Sequence, residues 1–145
     1  MNRKIAIALT IGLAICGLSH SILRAQAGAS VWDGVYTEDQ AKGGETLYRK
    51  ECASCHGDDL AGLGQTPPLS GKEFKMDWDG LTAGDLYERI RVSMPADHPG
   101  TLSPEQNAGI LAYLLKSNEF PAGKTALRGD TDTLKQIRFE SAKPK

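Results

Sequence analysis

The chain has 145 residues and a formal net charge of −1, from 17 Lys plus Arg against 18 Asp plus Glu. That length suits a single domain. So even a charge balance points to neither a nucleic acid nor an acidic substrate as partner.

The first stretch reads as separate from the fold. Arg3 and Lys4 form a charged start, and Ile5 to Leu18 is an apolar run broken only by small residues and Thr10. Ala25-Gln26-Ala27 then supplies a small-x-small cleavage site. These are the three parts of a secretory signal peptide, so residues 1–27 are expected to be removed. The alternative is an uncleaved membrane anchor, but the apolar run is short for a span of roughly 20 residues. Cys16 follows Ile15, a poor match to the small residue that a lipoprotein site requires. Cleavage after Ala27 removes Arg3, Lys4 and Arg24 and no acid, so 118 residues of formal charge −4 remain. The expected location is periplasmic or otherwise exported, with no stable membrane span after cleavage.

Residues 28–37 form an arm with Trp32 and Tyr36. Thr37 with Gln40 three positions on is a capping-box signal, which predicts a helix from about Glu38 to Ala53. Gly44, Tyr48 and Cys52 recur at i, i+4 along one face of it. Gly43-Gly44 costs such a helix roughly 1 kcal/mol per glycine relative to alanine, a cost that close approach of another backbone would explain. A merely weak helix start is the alternative.

The helix leads into Cys52-Ala53-Ser54-Cys55-His56, the C-x-x-C-H string of covalent c-type haem attachment. Two thiols at this spacing can each form a thioether to one porphyrin vinyl group, and the adjacent imidazole can then bind the iron axially. A redox dithiol would sit in a strand-then-helix setting, whereas the residues before Cys52 look helical. A zinc site needs four ligands, which Cys52, Cys55, His56 and His98 supply on paper. Both cysteines that survive signal cleavage lie in the motif, so no structural disulfide is expected.

Gly57, Gly62, Gly64, Pro67, Pro68 and Gly71 break regular periodicity after the motif. This loop is expected to wrap a flat apolar cofactor with Leu60, Leu63 and Leu69 turned inward. A carbonyl near Pro68 can accept the second ring N–H of His56 and so orient the ring; a rigid proline turn is the plainer account. Phe74 and Trp78 stand in a charged stretch, and one or both are expected against the cofactor. The Trp78 indole can also donate to a haem propionate, with plain core packing as the alternative.

Thr82 with Asp85 opens a middle helix whose apolar face carries Leu86, Tyr87 and Ile90 and which ends before Ser93. Met94-Pro95 follows in an irregular segment, 38 residues after His56. A thioether suits haem iron, and a His/Met pair raises the reduction potential. Met94 is therefore the expected sixth ligand. His98 is the rival, giving bis-histidine ligation; Met76 or an open site completes the alternatives. Ser103-Pro104-Glu105-Gln106 is a strong start for a closing helix to about Lys116. The tail from Glu119 to Lys145 is polar, with room for one short helix in Asp130–Phe139, and its last residues are expected to be disordered.

These features together strongly resemble the class I cytochrome c family over residues 38–118. The carriers are Gly44, Tyr48, Cys52, Cys55, His56, Pro67-Pro68-Leu69, Met94-Pro95 and Tyr113-Leu114 in the terminal helix. The resemblance implies an all-α fold of three to five helices wrapped around one covalently bound haem c. It implies attachment through Cys52 and Cys55, with His56 and Met94 as iron ligands. In that family a carbonyl from a proline placed like Pro68 accepts from the histidine ring, and the first and last helices cross closely. The Val31–Tyr36 arm and the Phe120-Pro121-Ala122-Gly123 tail look like cytochrome domains found near bacterial quinoprotein (PQQ) dehydrogenases. The implied function is one-electron transfer rather than enzymatic catalysis. The partners would be redox proteins: a quinoprotein dehydrogenase, a terminal oxidase or a bc1-type complex. A haem-binding subunit of a larger complex, or a haem enzyme or gas sensor with a labile sixth ligand, are the competing readings.

Overall fold

The computed structural model describes residues 28–145 of the chain. The expected export segment, residues 1–27, lies outside the described residues. Among the described residues six α-helices run in the order α1 (Glu38–Glu51), α2 (Ala53–His56), α3 (Gly71–Trp78), α4 (Ala83–Ser93), α5 (Pro104–Ser117) and α6 (Thr131–Leu134). The described residues hold no β-strand, only two isolated bridges at Arg138. The count exceeds the expected three to five because α2 and α6 are single turns and α3 was hidden in the charged stretch. Among the described residues no helix is long and apolar enough to cross a membrane.

Thr37 caps α1, its hydroxyl accepting from the Gln40 N–H. The second half of the expected box is absent, because the Gln40 amide is used elsewhere. It donates to the Leu127 carbonyl and accepts from the Leu127 N–H, both at 2.9 Å. Glu38 and Asp39 in the first turn and Arg49 and Lys50 in the last both suit the helix dipole. Ala41, Gly44 and Tyr48 are buried along one face, which lies on α5. There Gly44 reaches the backbone of Gly109: a Cβ at Gly44 would stand 1.8 Å from the Gly109 carbonyl oxygen. The two glycines thus allow the crossing, and the weak-start alternative is unnecessary.

α4 and α5 begin with complete capping boxes, Thr82 with Asp85 and Ser103 with Gln106. α5 is buried from Asn107 to Leu115, making it the central rod of the molecule. Just beyond it, the buried Asn118 amide donates to the carbonyls of Leu69 and Leu114 and accepts from the Gly71 N–H. One side chain thereby ties the end of α5 to the loop before α3.

The tail packs on the body. Phe120, Leu127, Leu134, Ile137 and Phe139 are all buried. Residues 137–139 run between two partners: Val31 and Ala29 bond Arg138 on one side. On the other, Ala83 donates to Ile137, and Gly80 and Leu81 bracket Phe139. The arm closes the same layer. Trp32 stacks edge-on against Phe120 at 4.8 Å, and the Tyr36 hydroxyl donates to the Phe120 carbonyl.

Candidate cofactor site

A cavity of about 740 Å³ opens between α1, α2, the loop after α2, α3, α4 and α5. Its size falls within the range of about 300–1,000 Å³ usual for cofactor pockets. Cys52, Cys55, His56, Pro68, Trp78 and Met94, the six residues singled out from the sequence, all line it.

Cys52 ends α1 as its C-cap, with its N–H bonded to the Tyr48 carbonyl. The chain then turns directly into α2, where the Cys55 and His56 N–H groups both donate to the Cys52 carbonyl. This single turn puts the two thiols on one wall of the cavity. Cys52 is half-buried and Cys55 exposed. Burial, then the nearby Glu51 charge, pushes the Cys52 thiol up to about 11, so it stays protonated at neutral pH. The Tyr48 hydroxyl, buried beneath the motif, donates to the Gly57 carbonyl at 2.6 Å. Burial above all raises that phenol beyond its ordinary range.

His56 is buried, and its Nδ1 lies 3.0 Å from a backbone carbonyl. The acceptor is Pro67, not Pro68. The loop folds back on itself, with the Gly62 N–H on the His56 carbonyl and the Leu69 N–H on the Leu60 carbonyl. Gly62 at φ +78° passes so close that a Cβ would meet the Thr66 carbonyl oxygen at 2.3 Å. That fold aims the Pro67 oxygen at the ring and leaves Pro68 on the cavity wall. A proton on Nδ1, donated to Pro67, leaves the other ring nitrogen unprotonated and free to bind a metal. Leu69 lines the cavity as expected, whereas Leu60 is buried in the core without lining it. Leu63 does neither: it stands 54% exposed at the loop tip.

Phe74 and Trp78 both line the cavity, 6.3 Å apart between ring centres, one helical turn from each other on α3. Phe74 is buried and Trp78 half-buried. Met94 caps α4, donating its N–H to Ile90, and its extended backbone (φ −127°, ψ 149°) carries the chain away from the helix. Its side chain is partly buried against the core. Met76 is 60% exposed and does not line the cavity. His98 does reach the cavity rim, where its ring nitrogens face Glu51 and Asp97. Among the described residues no three His, Cys, Asp or Glu side chains converge as a metal-ion site, so the four-ligand zinc arrangement does not form.

The donor set fits a haem. A thiol pair, one oriented imidazole and one thioether surround an apolar cavity whose walls include Leu69, Leu86, Ile90, Ile110 and Leu114. The acceptor for His56 was legible to within one residue, near Pro68 rather than at Pro67; Asn118 and the Glu51–His98 contact were not legible in the sequence. Asn118 carried a weak signal, as a polar residue just beyond an apolar helix.

The family described as cytochrome c oxidase, cbb3-type, subunit III matches residues 39–114. The cytochrome c subunit of the cytochrome bc1 complex of Corynebacterium diphtheriae is 30% identical over 98 residues, 66% of this chain and 33% of that protein. The chain therefore spans about a third of the length of this curated relative. The sulfane dehydrogenase SoxCD from Paracoccus pantotrophus contains a similar chain in its crystal structure. It superposes with a TM-score of 0.54 at 26% identity, covering 74% of this chain and 61% of that one.

Proposed function

Because the chain belongs to the c-type cytochrome family described as cytochrome c oxidase, cbb3-type, subunit III, whose members carry a covalent haem c, we propose that it is an exported one-electron carrier with His56 and Met94 as axial ligands. Held there, the haem iron would supply one-electron chemistry between Fe(II) and Fe(III). The observation that carries the reading is the His56–Pro67 hydrogen bond facing a cavity that Met94 also lines. Cys52 and Cys55 would each give a thioether, fixing the group so that it cannot dissociate. Donation from His56 Nδ1 to Pro67 holds the ring in one tautomer and strengthens its basicity as a ligand. Met94 offers its sulfur from the segment just past α4. With His56 and Met94 both supplied as ligands, the iron would keep no position for a substrate, which favours electron transfer over a haem enzyme or gas sensor. The apolar walls suit a flat apolar group, and Trp78 can donate its indole N–H to a propionate at the edge of the cavity.

The partners are proposed to be redox proteins, with a dehydrogenase or a respiratory complex as the donor or acceptor. Service as a subunit within such a complex is the second reading. It is favoured because the bc1 relative and the SoxCD neighbour are themselves parts of larger proteins or assemblies. Export rests on the pattern in residues 1–27 and is checked by the N-terminal mass of the isolated protein, which cleavage would place near Gly28.

Absorption spectra of the oxidised protein and of Met94→Ala test the ligation. The weak near-infrared band of methionine-to-ferric-haem charge transfer should be present in the wild type and lost in the variant. A wild type without the band, whose reduced form binds carbon monoxide, would be an open-site enzyme or sensor instead.

A further inference from the structure

Glu51 and His98 meet across the rim of the cavity. Glu51 ends α1 next to Cys52; His98 sits on the loop that begins at Met94. His98 Nε2 lies 3.5 Å from Glu51 Oε2, and Nδ1 lies 2.7 Å from Asp97 Oδ1. The Glu51 side chain is only 15% exposed, and its other oxygen pairs with Lys50 at 2.7 Å. Lys50 first, and His98 second, hold the Glu51 carboxyl below its ordinary range. The loop itself is a closed turn. The His98 N–H donates to the Pro95 carbonyl, and the Thr101 hydroxyl donates to the His98 carbonyl. A force on His98 is therefore passed to Pro95 and the adjoining Met94.

We propose that Glu51 and His98 form a latch that holds the Met94 loop against the Cys52-bearing helix, making both positioning residues for the sixth ligand. The inference rests on the reading of Met94 as that ligand. Nε2 is the ring nitrogen in hydrogen-bond reach of Glu51. Asp97 from the loop and Lys50 from α1 are the other charged groups beside the pair. Removing either side chain of the pair frees the loop from α1. A loosened loop gives up its thioether to an external ligand more readily.

The test is a titration of the ferric, haem-loaded protein with imidazole, counted as the unprotonated form and followed by loss of the near-infrared methionine band. Wild type, Glu51→Gln, His98→Asn and the double variant are compared at one pH. Each single variant should bind imidazole about fivefold more tightly than wild type, the scale of a partly screened ion pair. The double variant should bind no more tightly than either single one, because the two side chains make one contact; independent structural roles would add instead. A wild type that shows the band but matches the variants, or variants whose effects add, overturns the latch alone. A wild type without the band overturns the ligation reading and the latch with it.

Discussion

Two adjacent glycines in α1 do opposite things. Gly44 lies against α5, where an added Cβ would collide with the Gly109 carbonyl oxygen and carbon at 1.8 and 2.4 Å. That obstacle is backbone, so no side-chain rotation relieves it. Gly43 has nothing within 4 Å of a Cβ and sits in the helix interior, where alanine is the better helix former. Gly44→Ala should therefore destabilise by about 3 kcal/mol or more, on the scale of severe overpacking. Gly43→Ala should instead stabilise by about 0.5–1 kcal/mol. Denaturant unfolding of the two variants checks both signs, and equal effects would show that the α1–α5 crossing does not depend on Gly44. In the sequence the pair looked like one weakness shared by two residues. Which glycine carries the contact is a matter of helix rotation about its axis, and α5 decides that.

At the scale of elements, the sequence left open whether the tail packs on the body or docks a partner. The structure packs it on the body, with Leu134, Ile137 and Phe139 buried. Phe139 stacks edge-on with Phe74 at 6.2 Å and with Phe120 at 5.2 Å. Phe74 is itself part of the cavity wall, so the tail supports the cofactor site from behind. Phe139→Ala should cost about 3–5 kcal/mol, the usual range for emptying a buried aromatic position. An unfolding midpoint unchanged from wild type would mean that the tail rests on the body without stabilising it. The Gln40–Leu127 pair adds a second tether, which is why the expected capping box of α1 is only half made. A glutamine three residues past a threonine looks the same in sequence whether it reaches back to its own helix or out to a distant strand of chain.

For the molecule as a whole, the pH response follows from the buried phenols. Tyr36 is pushed up to about 12, first by burial and then by the Glu38 charge; Tyr48 is raised as well, chiefly by burial. A folded-state value above the unfolded one means that the folded protein holds its proton where the unfolded chain has lost it. That contribution is constant below pH 10 and falls away between about 10 and 12. Stability measured by denaturant unfolding should decline as the pH rises through that window. Tyr36→Phe should flatten the decline while losing about 1 kcal/mol at neutral pH, the worth of the hydroxyl's bond to Phe120. A profile as steep in the variant as in the wild type would assign the alkaline loss to other groups.

The sequence by itself determined the chemistry and the helical frame. Two cysteines and the adjoining histidine declare a haem through residue type and spacing, and the caps at Thr37, Thr82 and Ser103 mark helix starts through local hydrogen bonds. Such signals act over a few residues, so they survive without knowledge of the fold. The tertiary structure alone decided which proline carbonyl meets His56, that Leu63 faces out, that Asn118 ties α5 to the loop, and that the tail backs the cavity. Each depends on contacts between residues far apart in the chain or on how a glycine-rich loop closes. There many backbone paths are locally equivalent, and only packing around the cavity selects among them.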